Sequence, residues 1–133
     1  MDILVIDRAD QIKPDLSAVQ TRVQYVSDEV KALNEIETYS SVIVLLHLNM
    51  VQAQTPEYIG LLLKANSKST IVVIADELSD EEILKCLLAG AKGYQQQGQL
   101  VDYASRLVNA MNDGEVWITR RMTAILLDSL RQC

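Results

Sequence analysis

The chain has 133 residues, 49% of them hydrophobic, 23% charged and 5% aromatic. That length suits one domain, and an apolar content with mixed charge excludes intrinsic disorder. Twelve basic against 18 acidic residues, a formal net charge of −6, argues against nucleic-acid binding by these residues; no apolar stretch reaches the ~20 residues of a membrane span, and the opening MDILVID lacks the basic flank of a signal peptide.

The first element in the chain is the apolar run Ile3-Leu4-Val5-Ile6. It is rich in β-branched residues and does not alternate with polar ones, which predicts a strand buried on both faces. Pro14, with Leu16 and Val19 beyond it, marks a short helix candidate. Arg22-Val23-Gln24-Tyr25-Val26 alternates and reads as an edge strand. Residues 28–38 put Val30, Leu33 and Ile36 at helical spacing. Val42-Ile43-Val44-Leu45-Leu46 is a second buried strand.

Thr55-Pro56 supplies a helix start, with Thr55 as N-cap, Pro56 at the first helical position, and Leu61, Leu62 and Leu63 following. Ile71-Val72-Val73-Ile74 is a third buried strand. Ser79-Asp80-Glu81-Glu82 reads as a capping box leading into Ile83, Leu84, Leu87 and Leu88, with Ala89-Gly90 as the stop. Lys92-Gly93-Tyr94-Gln95 is polar enough for the opposite sheet edge. Residues 99–112 carry Val101, Ala104, Leu107, Val108 and Met111 on one stripe, and 119–131 carry Met122, Ile125, Leu126 and Leu130 on another.

Strand and helix thus alternate five times before a last helix. This predicts an α/β domain with a parallel sheet, right-handed crossovers and helices on both faces. Five units in so short a chain favour the flavodoxin-like order 2-1-3-4-5 over a TIM barrel, which needs ~250 residues. Functional residues are expected beyond the carboxyl ends of the strands. There lie Asp7-Arg8, His47, Ala75-Asp76 and Gln95-Gln96-Gln97. No glycine-rich phosphate loop follows the first strand, and no Ser, Cys or Thr stands there beside a base. Enzymatic activity is therefore not expected. Cys86 and Cys133 have no metal spacing and suit a reducing cytoplasm, with Cys86 packed in the core beside Ile83 and Leu87.

Four segments carry a family resemblance. Ala89-Gly90-Ala91-Lys92-Gly93-Tyr94 is similar to the A-G-A-x-G-Y/F run of bacterial two-component receiver domains. His47-Leu48-Asn49-Met50 resembles their D-L-N-M segment, and Ile3-Leu4-Val5-Ile6-Asp7 resembles their first strand entering an acidic pair. Gly114-Glu115-Val116-Trp117-Ile118 resembles the turn before the linker helix in the NarL/LuxR-type branch. The resemblance covers the whole chain. It implies a receiver-like (CheY-like) domain over 1–115 and a linker helix over 116–133. It also implies a place in a LuxR-type transcriptional response regulator, with DNA contact only through a helix-turn-helix outside these residues.

In that family an Asp after strand three accepts a phosphoryl group. Mg²⁺ sits on it and on acids after strand one, and a Thr or Ser and a Lys contact the phosphoryl oxygens. By resemblance the acceptor position is His47, and the acidic pair is Asp7-Arg8. The hydroxyl position is Ala75, the Lys position is Gln97, and Tyr94 is the switch aromatic. This implies a degenerate, pseudo-receiver site with no Mg²⁺ or other metal. Asp7 is expected to partner Arg8 or His47. His47 itself reads as a phosphohistidine, a pH-sensing group, or a polar filler of a vacated acidic pocket.

The expected role is phosphorylation-independent homodimerisation or binding of another protein. Two alternatives stay open. Trp117-Ile118-Thr119-Arg120 is similar to the W-[F/L/M]-[T/S]-R motif by which VpsT-like members bind cyclic di-GMP, through an Arg that stacks on guanine. The same residues also suit a Trp117 packing contact and a Thr119 N-cap. The chain could equally be a stand-alone adaptor.

Overall fold

A computed structural model describes residues 2–17, 19 and 21–132. Its strands are β1 (Asp2–Ile6), β2 (Arg22–Val26), β3 (Val42–His47), β4 (Ser69–Ala75) and β5 (Gly93–Gln96). The helices are α1 (Glu29–Ile36), α2 (Thr55–Ala65), α3 (Asp80–Leu88), α4 (Leu100–Asn112) and α5 (Arg120–Arg131). The strands form one parallel sheet in the order β2-β1-β3-β4-β5, as the alternating pattern predicts.

The three β-branched runs do fill the sheet centre. Leu4, Ile6, Val44, Leu46, Ile71 and Val73 point to the face covered by α1, α2 and α3. Ile3, Val5, Ile43, Leu45, Val72 and Ile74 point to the opposite face, under α4. Each of these side chains is essentially inaccessible, worth about 1.5–3 kcal/mol apiece in removal from water. β2 is the alternating edge, with Arg22 and Gln24 outward. Ser79 closes the capping box with Glu82, and Gly90, at φ 119°, stops α3 in a conformation that glycine adopts freely.

Several local expectations are corrected. The helix after Pro14 is a single 3₁₀ turn, Lys13–Leu16; the buried Ile12 and Leu16 tie this short connection down against α4 before a helix can propagate. Thr55 is the first residue of α2, not its N-cap. A preceding 3₁₀ turn, Gln52–Gln54, runs straight into the helix, and the Thr55 hydroxyl donates to the Gln52 carbonyl at 2.6 Å.

The expected helical faces hold at Ile36, Leu62, Ala104, Leu107, Val108 and Met111, which are buried, and one apolar residue in each of three helices falls outside them. Val30 is 61% exposed while Ala32 and Ile36 are buried. Leu61 is exposed beside a buried Leu62, and Val101 is exposed beside a buried Leu100. In α3, Cys86 takes a core position with Ile83 as expected, while Leu88 is exposed.

The segment before α5 also departs from a plain linker. Trp117 forms a parallel bridge with Gly93, through Trp117 N–H to the Lys92 carbonyl at 2.9 Å and Tyr94 N–H to the Trp117 carbonyl at 3.1 Å. The outer edge of β5 is thereby partly closed by the chain itself.

Candidate functional site at the strand ends

β1 and β3 deliver Asp7 and His47 to the carboxyl edge of the sheet, both buried (2% and 5% exposed). Asp7 Oδ2 accepts the Ile12 N–H at 2.8 Å. Its Oδ1 accepts the Ala9 N–H at 3.2 Å and the Asn49 side-chain amide at 2.9 Å. Two of these donors come from the loop after β1, so the carboxylate folds that loop back over itself. Asp10 within it takes φ +53°, a left-handed conformation that Asp tolerates.

Asn49 connects the two strands. Besides its donation to Asp7, its Oδ1 accepts the Arg8 N–H at 3.1 Å, and its own N–H donates to His47 Nδ1 at 3.0 Å. A nitrogen facing a backbone N–H must be an acceptor. The neutral imidazole therefore carries its proton on Nε2, which hydrogen-bonds to Gln97 Oε1. Asp7, Asn49, His47 and Gln97 thus form one continuous network across the ends of β1, β3 and β5. Among the described residues no buried side-chain nitrogen or oxygen lacks a partner.

The expected partners of Asp7 are therefore corrected on both counts. The Arg8 guanidinium turns away to the Met50 carbonyl at 2.7 Å, while both Asp7 oxygens accept from N–H donors. His47 reaches Asp7 only through Asn49. Ala75 is buried and offers its carbonyl to the Tyr94 hydroxyl at 3.3 Å. Burial, then the nearby carboxylates of Asp76 and Glu77, push the Tyr94 phenol above its ordinary value. Gln97 opens the 3₁₀ turn after β5 and is partly buried.

Trp117, Thr119 and Arg120 lie apart from this network, at the β5 edge. The Trp117 indole N–H donates to Gln95 Oε1 at 2.9 Å, and its ring meets Tyr103 edge-on at 6.4 Å. Thr119 Oγ1 accepts the Met122 N–H at 3.1 Å as the N-cap of α5. Arg120 is exposed. Gln95 stands among the strand-end residues expected at the site, whereas Asn49, two residues beyond β3, is the linking residue that the strand ends alone do not mark. The one signal for Asn49, which is half-buried, was its place two residues after His47. Among the described residues no group of three His, Cys, Asp or Glu side chains could hold a metal, and no helix is long and apolar enough to cross a membrane.

No protein-family model matches the sequence, and no curated protein matches it by sequence. Solved structures do match in fold. A two-component response regulator of the LuxR family from Aurantimonas sp. SI85-9A1 superposes with a TM-score of 0.76 at 15% identity, over 96% of each chain. The isolated REC domain of RcsB from Salmonella enterica serovar Typhimurium, in its apo form, gives 0.78 at 13% identity, over 96% of this chain and 98% of that one. A longer RcsB chain from Salmonella typhimurium, in a study of its conformational dynamism for DNA interaction, gives 0.74 at 13% identity; 95% of this chain covers 66% of that one. The fold is that of a response-regulator receiver domain.

Proposed function

We propose that this chain is the receiver-like module of a LuxR/NarL-type response regulator, and that it works by protein association without accepting a phosphoryl group. One observation carries the reading: the Asp7–Asn49–His47–Gln97 network occupies the strand-end corner with groups that satisfy one another.

Mg²⁺ does not suit this donor set. A hard divalent cation takes several oxygen ligands, usually with one or two carboxylates. Here the single buried carboxylate spends both oxygens on N–H donors, and the neighbouring position holds the cationic Arg8. No hydroxyl stands at Ala75 and no ammonium at Gln97 to steady a phosphoryl anion. His47 has both ring nitrogens engaged and is buried, which supports the filler reading over phosphohistidine. The module is non-enzymatic on this reading, and a second copy of the chain is its expected partner. The outward stripe of α5, with Leu127 52% and Leu130 54% exposed, supports association. The cyclic di-GMP reading finds less support, since the Trp117 indole N–H and the Thr119 hydroxyl are already used within the chain.

Intact-mass spectrometry after incubation with acetyl phosphate and Mg²⁺, paired with light scattering over a concentration series, tests the proposal. Unchanged mass and a concentration-dependent dimer are expected. A gain of one phosphoryl group, or a monomer at every concentration, would overturn it.

A further inference from the structure

The strand-end network and helix α5 are joined through β5. Gln97, the last member of the network, directly follows the strand. Two residues before it, Gln95 is buried, holds the Trp117 indole through Oε1, and donates from Nε2 to the Gln96 carbonyl at 2.9 Å. One residue earlier again, the Tyr94 N–H holds the Trp117 carbonyl. Any shift of the β5 end toward or away from His47 is therefore felt at two of the three hydrogen bonds that seat Trp117, those from Tyr94 and to Gln95.

Beyond Trp117 the chain is lightly held. Met122 is the one buried side chain of α5. The Arg121–Asp80 ion pair joins it to α3 but is exposed, and such pairs contribute little. Two grooves flank the 116–119 segment. One lies toward α4, lined by Gln99, Tyr103 and Val116; the other lies toward α3, lined by Leu78, Ile83 and Met122. The connection from α4 is exposed over 112–116 and turns at Gly114, φ +81°. Few buried contacts, an exposed hinge and one hydrogen-bonded anchor are the marks of a segment that opens locally.

We propose that residues 115–132 form a releasable strap, anchored on β5 by Trp117, whose docking is set by the His47–Gln97 contact. This goes beyond the association reading and holds whether or not the site takes up phosphate. The coupling runs through a two-state element, the docked or released strap, which both the network and the anchor bias.

The test uses the full chain and two readouts: amide hydrogen exchange over 116–132, and the emission of Trp117, which is the sole tryptophan. Gln97→Ala and His47→Ala are compared with Ile59→Val, a core change that leaves the network and anchor untouched. Gln95→Leu marks the released strap. Gln97→Ala should speed exchange in the strap at least fivefold relative to β1, β3 and β4 and red-shift the emission, as Gln95→Leu does. Ile59→Val should leave that ratio unchanged. If His47→Ala unfolds the domain, Gln97→Ala decides alone. Strap exchange in Gln97→Ala equal to wild type, or the same ratio in Ile59→Val, overturns the proposal.

Discussion

His47 Nδ1 and the Asn49 N–H meet at 3.0 Å across a turn of two residues, and this contact fixes which imidazole nitrogen bears the proton. Nitrogen-15 NMR of the chain at pH 8 should show His47 protonated at Nε2 and bare at Nδ1. Signals from the opposite tautomer would refute the network as drawn.

Asn49 is the residue on which the network turns. Asn49→Ala removes the amide that donates to Asp7 and the oxygen that accepts the Arg8 N–H. It should cost about 1–3 kcal/mol, the range for leaving partly buried polar groups unpaired. Urea denaturation followed by circular dichroism measures it. A loss below ~0.5 kcal/mol would mean that water replaces the side chain freely.

Thr119 and Thr55 separate two uses of one residue type. Thr119→Ala should destabilise α5 by about 1 kcal/mol through the lost cap, while Thr119→Ser restores it. Thr55→Ala removes no cap, so Thr55→Ser and Thr55→Asp should bring no gain in α2. Site-resolved hydrogen exchange distinguishes the two helices.

Gly93 lies where another residue would strike the strap. A Cβ there would come within 2.3 Å of the Trp117 carbonyl oxygen. Gly93→Ala should dislodge Trp117, shift its emission to the red and cost about 1–3 kcal/mol, as overpacking generally does. The far-UV spectrum of the sheet should persist.

Alkaline pH should weaken the fold through Cys86. Burial, then Glu82 and Glu57, push its thiol up to about 11 from 9.0. A raised acid is favoured neutral in the folded state, so its contribution is intact below pH 9 and is lost as the pH climbs from 9 toward 11. Tyr58, buried and donating to the Glu29 carbonyl at 2.6 Å, is raised as well and acts in the same direction. Melting temperature measured from pH 8 to 11 should fall, and the thiol should resist modification by disulfide reagents at pH 8.

The sheet was legible because each central strand is a short β-branched run with no polar interruption, a pattern few other structures accommodate. Capping chemistry was legible at Ser79 and Thr119, where a hydroxyl precedes the helix without competition. It misled at Thr55, where an upstream 3₁₀ turn had already begun to wind the chain. Helical faces were legible in the main, but Val30, Leu61 and Val101 lie outside them, since adjacent apolar residues leave the margin of a short helix's buried face to tertiary packing. At the site, the residue types at 7, 8, 47, 75 and 97 were readable, but their pairing was not. Asp7 and Arg8 adjoin in sequence, yet three N–H donors outcompete the guanidinium, and that outcome depends on where Ile12 and Asn49 arrive in space.

The turn of Arg8 to the Met50 carbonyl ties the loop after β1 to the turn after β3. A carboxylate placed at 47 alone would face an Asn49 amide committed to Asp7, with a guanidinium where a second acid would be needed. Replacing Arg8 alone would strip a partly buried carbonyl of its donor before any metal affinity was gained. The energies of such connected residues do not add. A cation-binding, phosphoryl-accepting corner would therefore need changes at 8, 47, 75 and 97 together.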